Sequence, residues 1–184
     1  LDCTPSLGML TINALAAAAV GLLLGETPEL IAQGLVSYQA SGMRQNIYEQ
    51  DGYQIYADCY NASPDAMEAT LSVLGGMAGD GRRFAVLGSM LELGDYAEEG
   101  HRRAGRAAAQ YADALYAYGP DAAAMVAGAR EKGMEHAYAF DDQTALVAAL
   151  REDATKGDAL LFKGSRGMRM ERALAMFLGE EVEA

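Results

Sequence analysis

The chain has 184 residues, 51% of them hydrophobic and 22% charged, and a formal net charge of −12. This length and apolar content predict one ordinary domain with a proper core, at most with a small appendage, and argue against disorder. The 26 acids outnumber the 14 Lys and Arg, which form no basic stripe, so a nucleic-acid-binding role is excluded.

The first apolar run, Ile12 to Leu24, has 13 residues and includes Asn13 and Gly21. A membrane span needs about 20 apolar residues, so this run predicts a buried helix and no membrane span. No basic n-region precedes it, and the chain opens at Leu1-Asp2-Cys3 without Met, which reads as a piece of a longer protein. A second helix is predicted after Thr27-Pro28, where Thr caps the helix and Pro suits its first position. Leu30, Ile31, Gly34 and Leu35 give that helix one apolar face. The two cysteines, Cys3 and Cys59, have no metal-ligand spacing and no disulfide framework, which fits a reducing cytoplasm.

After Gly42 the pattern changes. Asn46 to Glu49 and Tyr53 to Asp58 flank Asp51-Gly52, the signature of a hairpin at a domain boundary. Strand-like runs then recur at Gln54 to Asp58, Phe84 to Gly88, Ala114 to Gly119, Ala137 to Phe140 and Ala159 to Lys163. The gaps carry apolar residues at helical spacing, such as Met67, Leu71 and Leu74, or Met170, Leu174 and Phe177. The alternation predicts an α/β fold, a Rossmann-like, mostly parallel, doubly wound sheet covered on both faces, preceded by two helices. Ligands of such sheets bind beyond the carboxyl ends of the strands.

Three strand-to-helix loops can carry chemistry. In Asp58-Cys59-Tyr60-Asn61-Ala62-Ser63-Pro64-Asp65, Ser63 is placed as a cap and Pro64 in the first turn. Asp58 and Asn61 then face the crevice, where a carboxylate can accept from a ribose diol; ordinary turn-closing Asx chemistry fits them equally. Phe162-Lys163-Gly164-Ser165-Arg166-Gly167 ends a strand ahead of a helix. It reads either as an anion seat for a carboxylate or phosphate, or as a capped helix with solvated cations. It is not a Walker A loop, which the chain lacks altogether. Gly88-Ser89-Met90-Leu91-Glu92-Leu93-Gly94-Asp95 carries exposed-looking apolar residues, with Glu92 as its candidate for chemistry. His101 and His136 are too far apart in sequence for a recognisable metal pair, and His136 reads as structural or solvated.

Taken in order, Asn13-Ala14-Leu15-Ala16-Ala17, Gly42-Met43-Arg44, DCYNASPDAM at 58–67, VLGSMLELG at 86–94, His101 and LFKGSRGMRME at 161–171 resemble the MurF branch of the Mur ligases. The resemblance covers nearly the whole chain. It departs from the family pattern at Leu7-Gly8-Met9-Leu10, which replaces a polar approach to Asn13, and at Ser89, which stands where the family often has Asp.

The resemblance implies a cytoplasmic, three-domain, ATP-dependent ligase that joins D-alanyl-D-alanine to UDP-N-acetylmuramoyl-tripeptide through an acyl phosphate. Residues 1–42 would be the helical end of the central ATPase domain with its linker, and 43–184 the C-terminal Rossmann-like domain. By resemblance, Asn13 is expected near adenine, Arg44 on the ATP phosphates, Asp58 near the ribose and Asn61 on the same face. Lys163, Gly164, Ser165 and Arg166 would receive the incoming dipeptide, and Glu92 inherits the acidic role at its loop. The phosphate loop and Mg2+ ligands would lie in missing N-terminal and central domains, leaving this piece inactive alone and without a metal site. A folylpolyglutamate-type or other Mur-like ligase, and a stand-alone Rossmann-like anion-binding module, are the alternatives.

Overall fold

A computed structural model describes residues 7–37, 45–77 and 79–180, with side chains from residue 13 onward. The chain divides into two compact units, Leu1–Ser41 and Gly42–Ala184.

The first unit contains α1 (Leu7–Leu23) and α2 (Pro28–Val36). Thr27 caps α2 by accepting from the Leu30 amide, and Pro28 opens the helix. The expectation that the first apolar run is buried is not met. Leu15, Val20 and Leu22 are exposed, Leu23 is 87% exposed, and α2 buries no residue. An apolar run reports that a surface needs cover, not that this stretch of chain supplies it.

In the second unit, β1 (Asn46–Gln50) pairs antiparallel with β2 (Tyr53–Asp58). Asp51 and Gly52 both have positive φ, 54° and 88°, the backbone of a type I′ hairpin turn. There follow α3 (Pro64–Gly75), β3 (Arg83–Gly88), α4 (Ala97–Tyr111), β4 (Ala114–Tyr118), α5 (Ala122–Glu131), β5 (Ala137–Phe140), α6 (Gln143–Asp153), β6 (Ala159–Lys163) and α7 (Met170–Leu178). The sheet order is β1-β2-β6-β3-β4-β5, parallel except for β1. The edge strands β1 and β5 are partly exposed, whereas β6 is buried throughout, which is why it reads as the unbroken run Ala-Leu-Leu-Phe-Lys.

Side chains alternate between two cores. Tyr56, Ala85, Leu87 and Leu161 pack with α3, α4 and α5, whereas Ile55, Val86, Leu160 and Phe162 pack with α6 and α7. Helices α3, α4 and α5 carry the chain outward from β2 to β5 across one face. Helix α6 brings it back across the other face to β6, between β2 and β3. Right-handed crossovers require this change of face when the direction reverses. The loops after β6 and after its neighbours therefore part to opposite sides, opening the crevice at the carboxyl end of β6. No helix among the described residues is long and apolar enough to cross a membrane.

Candidate functional site

Register places the centre of the site. In the parallel β2/β6 ladder Asp58 lies opposite Lys163, and two-residue alternation sends both side chains to the α3 face. Lys163 Nζ lies 2.5 Å from Asp58 Oδ2 and donates to the Asn61 carbonyl at 2.8 Å. The Gln45 amide donates to Asp58 Oδ1 at 3.3 Å. The lysine side chain is 2% exposed and the aspartate side chain 9%. Residues assigned from sequence to two different ligands thus form one buried ion pair. Asn61 is exposed, and its side-chain oxygen accepts from the Ala62 amide at 2.8 Å, the Asx arrangement. Ser63 caps α3 through the Ala66 amide, so this loop runs as the sequence predicts.

The adjoining residue, Cys59, falls on the opposite face of β2. It is buried, and its thiol donates to the Phe162 carbonyl at 3.4 Å. Burial, then the Glu171 and Asp58 carboxylates, push this thiol up to about 12, although Lys163 pulls the other way. It is poorly suited to be a nucleophile at neutral pH.

The KGSRG segment does not run straight into a helix. A 3-10 turn, Arg166–Met168, intervenes, and α7 starts after Arg169, whose φ of 47° is left-handed. Gly164 permits a close approach: a Cβ there would lie 2.7 Å from Met170 Cγ and 3.1 Å from Gly88 Cα. Ser165 is buried; its amide donates to the Ser89 carbonyl, and its hydroxyl accepts from the Leu91 amide at 2.9 Å. Arg166 is exposed and reaches Glu171 on α7 at 3.0 Å.

The loop after β3 meets the expectation of exposed apolar residues only in part: Leu91 is exposed and Leu93 half-buried, but Met90 is core. Met90 is buried, as is Ser89, whose hydroxyl accepts from the Asp121 amide at 3.0 Å. Met90 N–H donates to His101 Nε2 at 2.8 Å. Nε2 must therefore be bare, and Nδ1 carries the proton that it donates to the Ala97 carbonyl at 2.6 Å. In this tautomer His101 is neutral, and Asp121, 3.7 Å from Nε2, is a neighbour and not an ion-pair partner. Three successive amides, of Ser89, Met90 and Leu91, are thus bound internally. None is left for an anion. Glu92 is exposed, with a φ of 66°.

Sequence reasoning gave no role to Glu171, Cys59 or the locking role of His101. Glu171 and His101 stood inside the quoted motifs, but their partners are set by tertiary contacts. Asn13 lies on α1 in the other unit, beside a groove of about 630 Å3 that Ala17, Gly21, Ile31 and Leu35 also line. Arg44 lies outside the described residues. Among the described residues no group of three or more His, Cys, Asp or Glu is placed to hold a metal ion.

Residues 43–166 match the family model described as Mur ligase, glutamate ligase domain. The chain belongs to the Mur ligase family. The UDP-N-acetylmuramoyl-tripeptide--D-alanyl-D-alanine ligase of Bacillus subtilis is 37% identical over 163 residues, covering 87% of this chain and 36% of that protein. The MurF ligase of Thermotoga maritima, solved in complex with ADP, matches with a TM-score of 0.79 and 32% identity over 94% of this chain and 38% of that one. A MurF structure from Acinetobacter baumannii gives a TM-score of 0.81 at 32% identity, over 91% and 37%. The chain therefore spans little more than a third of the length of the relatives it matches. In this Mur ligase domain the buried Asp58–Lys163 pair occupies the end of the sheet's switch-point strand.

Proposed function

We propose that this chain is the C-terminal part of a cytoplasmic ATP-dependent ligase that joins D-alanyl-D-alanine to UDP-N-acetylmuramoyl-tripeptide. It closes the nucleotide site and seats the incoming dipeptide, while residues 1–42 belong to the end of the preceding ATPase domain. The observation that carries this reading is the likeness along nearly the whole chain, in sequence and in fold, to proteins named for that reaction.

The geometry is consistent with these roles. Each carboxylate oxygen of Asp58 has two lone pairs and one described partner, so the carboxylate retains acceptor capacity for a ribose hydroxyl. Lys163 holds it in place. Asn61 displays an exposed amide on the same loop, and Asn13 offers a polar edge beside an apolar groove suited to a base. Arg166 is the exposed cation of the KGSRG loop and suits a peptide carboxylate, which Gly164 and Ser165 support by fixing the loop. Glu92 stands exposed at the same end of the sheet. Phosphoryl transfer is catalysed mainly by positioning and charge, so a domain that closes over the nucleotide can complete a site it does not itself contain. The described residues do not fit a magnesium site.

The test is to fuse this chain behind the N-terminal and central domains of a MurF ligase and measure phosphate release. Release should require both D-alanyl-D-alanine and the UDP-linked tripeptide, and should fall in Asp58→Ala and Lys163→Ala. Turnover with L-glutamate in place of the dipeptide would move the chain to a folylpolyglutamate-type reaction. Full activity in both variants would remove the residue assignments.

A further inference from the structure

One polar atom near the site is left over by every contact described above. Glu171 Oε1 accepts from Arg166 Nη1 at 3.0 Å, while Oε2 is buried and has no hydrogen-bond partner among the described residues. A buried acceptor without a donor loses its hydration with nothing in exchange and so destabilises the fold. Such an atom in a native fold calls for a cause. The cause is not the fold of α7, whose first turn would tolerate any good helix former at this position, and whose apolar face is made by Met170, Ala173, Leu174 and Phe177. The two members of the pair also differ in cover: the Arg166 side chain is 64% exposed and the Glu171 side chain 21%. The cation is thus free to swing away, whereas the carboxylate is held on a helix.

We propose that Arg166 and Glu171 form an exchangeable ion pair that opens to take up a zwitterion. The ligand's ammonium goes to Glu171, filling the vacant Oε2, and its carboxylate goes to the released Arg166. Each charge that leaves a protein partner meets a ligand charge of the same sign as that partner, so the site gains no net charge. The orphan oxygen gains the donor it lacks. This deepens the proposed function and rests on it for the identity of the zwitterion, D-alanyl-D-alanine; Glu171 is a binding residue that the sequence reading did not assign. A ligand without a free amine leaves Oε2 unsatisfied and forfeits a charge-assisted hydrogen bond.

The 184-residue chain is titrated calorimetrically with D-alanyl-D-alanine and with its N-acetyl form, as wild type, Glu171→Gln and Arg166→Gln. Wild type should prefer the free amine. Glu171→Gln should weaken D-alanyl-D-alanine about tenfold or more. The same change should leave the N-acetyl form unweakened, because it releases Arg166, and this opposite behaviour separates lost recognition from lost folding. Arg166→Gln should weaken both ligands. Equal affinity of wild type and Glu171→Gln for the free-amine dipeptide would overturn the proposal, as would failure of wild type to bind either that dipeptide or L-glutamate. Glutamate bound in place of the dipeptide, and lost in Glu171→Gln, would keep the exchangeable pair and overturn the substrate reading alone.

Discussion

Removing Lys163 should be among the most damaging single changes this domain can receive. The ammonium lies 2.5 Å from Asp58 Oδ2, a gross attraction of about 7 kcal/mol at an effective dielectric constant of about 20. Desolvating both ions takes back several kcal/mol each, so the intact pair contributes little net stability. Lys163→Met keeps the stem volume but leaves Asp58 buried with only the Gln45 amide described on it, and leaves the Asn61 carbonyl without its donor. Breaking a buried pair from one side costs about 3–5 kcal/mol. Asp58→Leu should cost a similar amount, because it strands the ammonium. The double variant, Asp58→Leu with Lys163→Met, removes both charges and should be far less destabilised than the sum, with a coupling of about 2–3 kcal/mol or more. Urea unfolding at pH 7, fitted for the transition of the Gly42–Ala184 unit, gives all four values. A Lys163→Met midpoint shift equivalent to less than about 1 kcal/mol, or strictly additive losses, would refute the claim that the two groups are a desolvated pair.

Three further outcomes follow from the packing and the titrating groups. His101→Leu should destabilise by about 1–3 kcal/mol by stranding the Met90 amide, and native-state hydrogen exchange should show that amide losing protection; His101→Gln, which retains an acceptor, should recover part of it. Gly105→Ala places a Cβ within 1.8 Å of the Met125 carbonyl oxygen, where α4 and α5 cross, so it should cost about 1–3 kcal/mol in thermal unfolding despite the better helix propensity of Ala. Hydrogen bonds from Arg83 hold the Asp113 carboxyl below its ordinary 3.8. The folded value is the lower one, so the stabilisation is present above about pH 4 and is lost as pH falls through the folded value. With Asp113 39% exposed it amounts to less than about 1 kcal/mol, and Asp113→Asn should flatten the acid limb of a stability-against-pH curve by that amount.

Much of the fold was legible because its signals are local. The Asp51-Gly52 hairpin, the Thr27-Pro28 and Ser63-Pro64 helix starts and the ends of β5 and β6 each depend on a few neighbouring residues, and all stand where the sequence places them. The site was legible only as loops at strand ends. That Asp58 touches Lys163 depends on β6 entering between β2 and β3, a strand order that periodicity does not encode. The left-handed Arg169 that detaches the KGSRG loop from α7 has no glycine or asparagine to announce it. Met90 looked like a surface residue because its loop lacks periodicity, yet its side chain is core and its amide is taken by a histidine from the next helix.

The charge arrangement also constrains what this domain could contribute to the proposed ATP-dependent reaction. Around the carboxyl end of β6 the cations paired with carboxylates are Lys163 and Arg166, their partners are Asp58 and Glu171, and Glu92 stands exposed on a neighbouring loop. Lys163 is neutralised by a partner it cannot leave without stranding a buried carboxylate, and Arg166 is paired on α7. Triphosphate charge developing in a transition state needs preorganised cations, and both Lys163 and Arg166 are already paired with carboxylates. In the proposed ligase reaction the phosphoryl charge would be met by groups outside these two pairs. Under the proposed function the cluster would offer a fixed carboxylate for neutral hydroxyls and an exchangeable pair for a zwitterion, both of which bind without a change in net charge. That division fits a substrate-positioning domain, and it predicts that dipeptide binding to the chain should depend on salt only weakly, whereas a phosphate-binding site would lose affinity steeply between 50 and 200 mM salt, a range taken as roughly that over which cation-rich phosphate sites weaken.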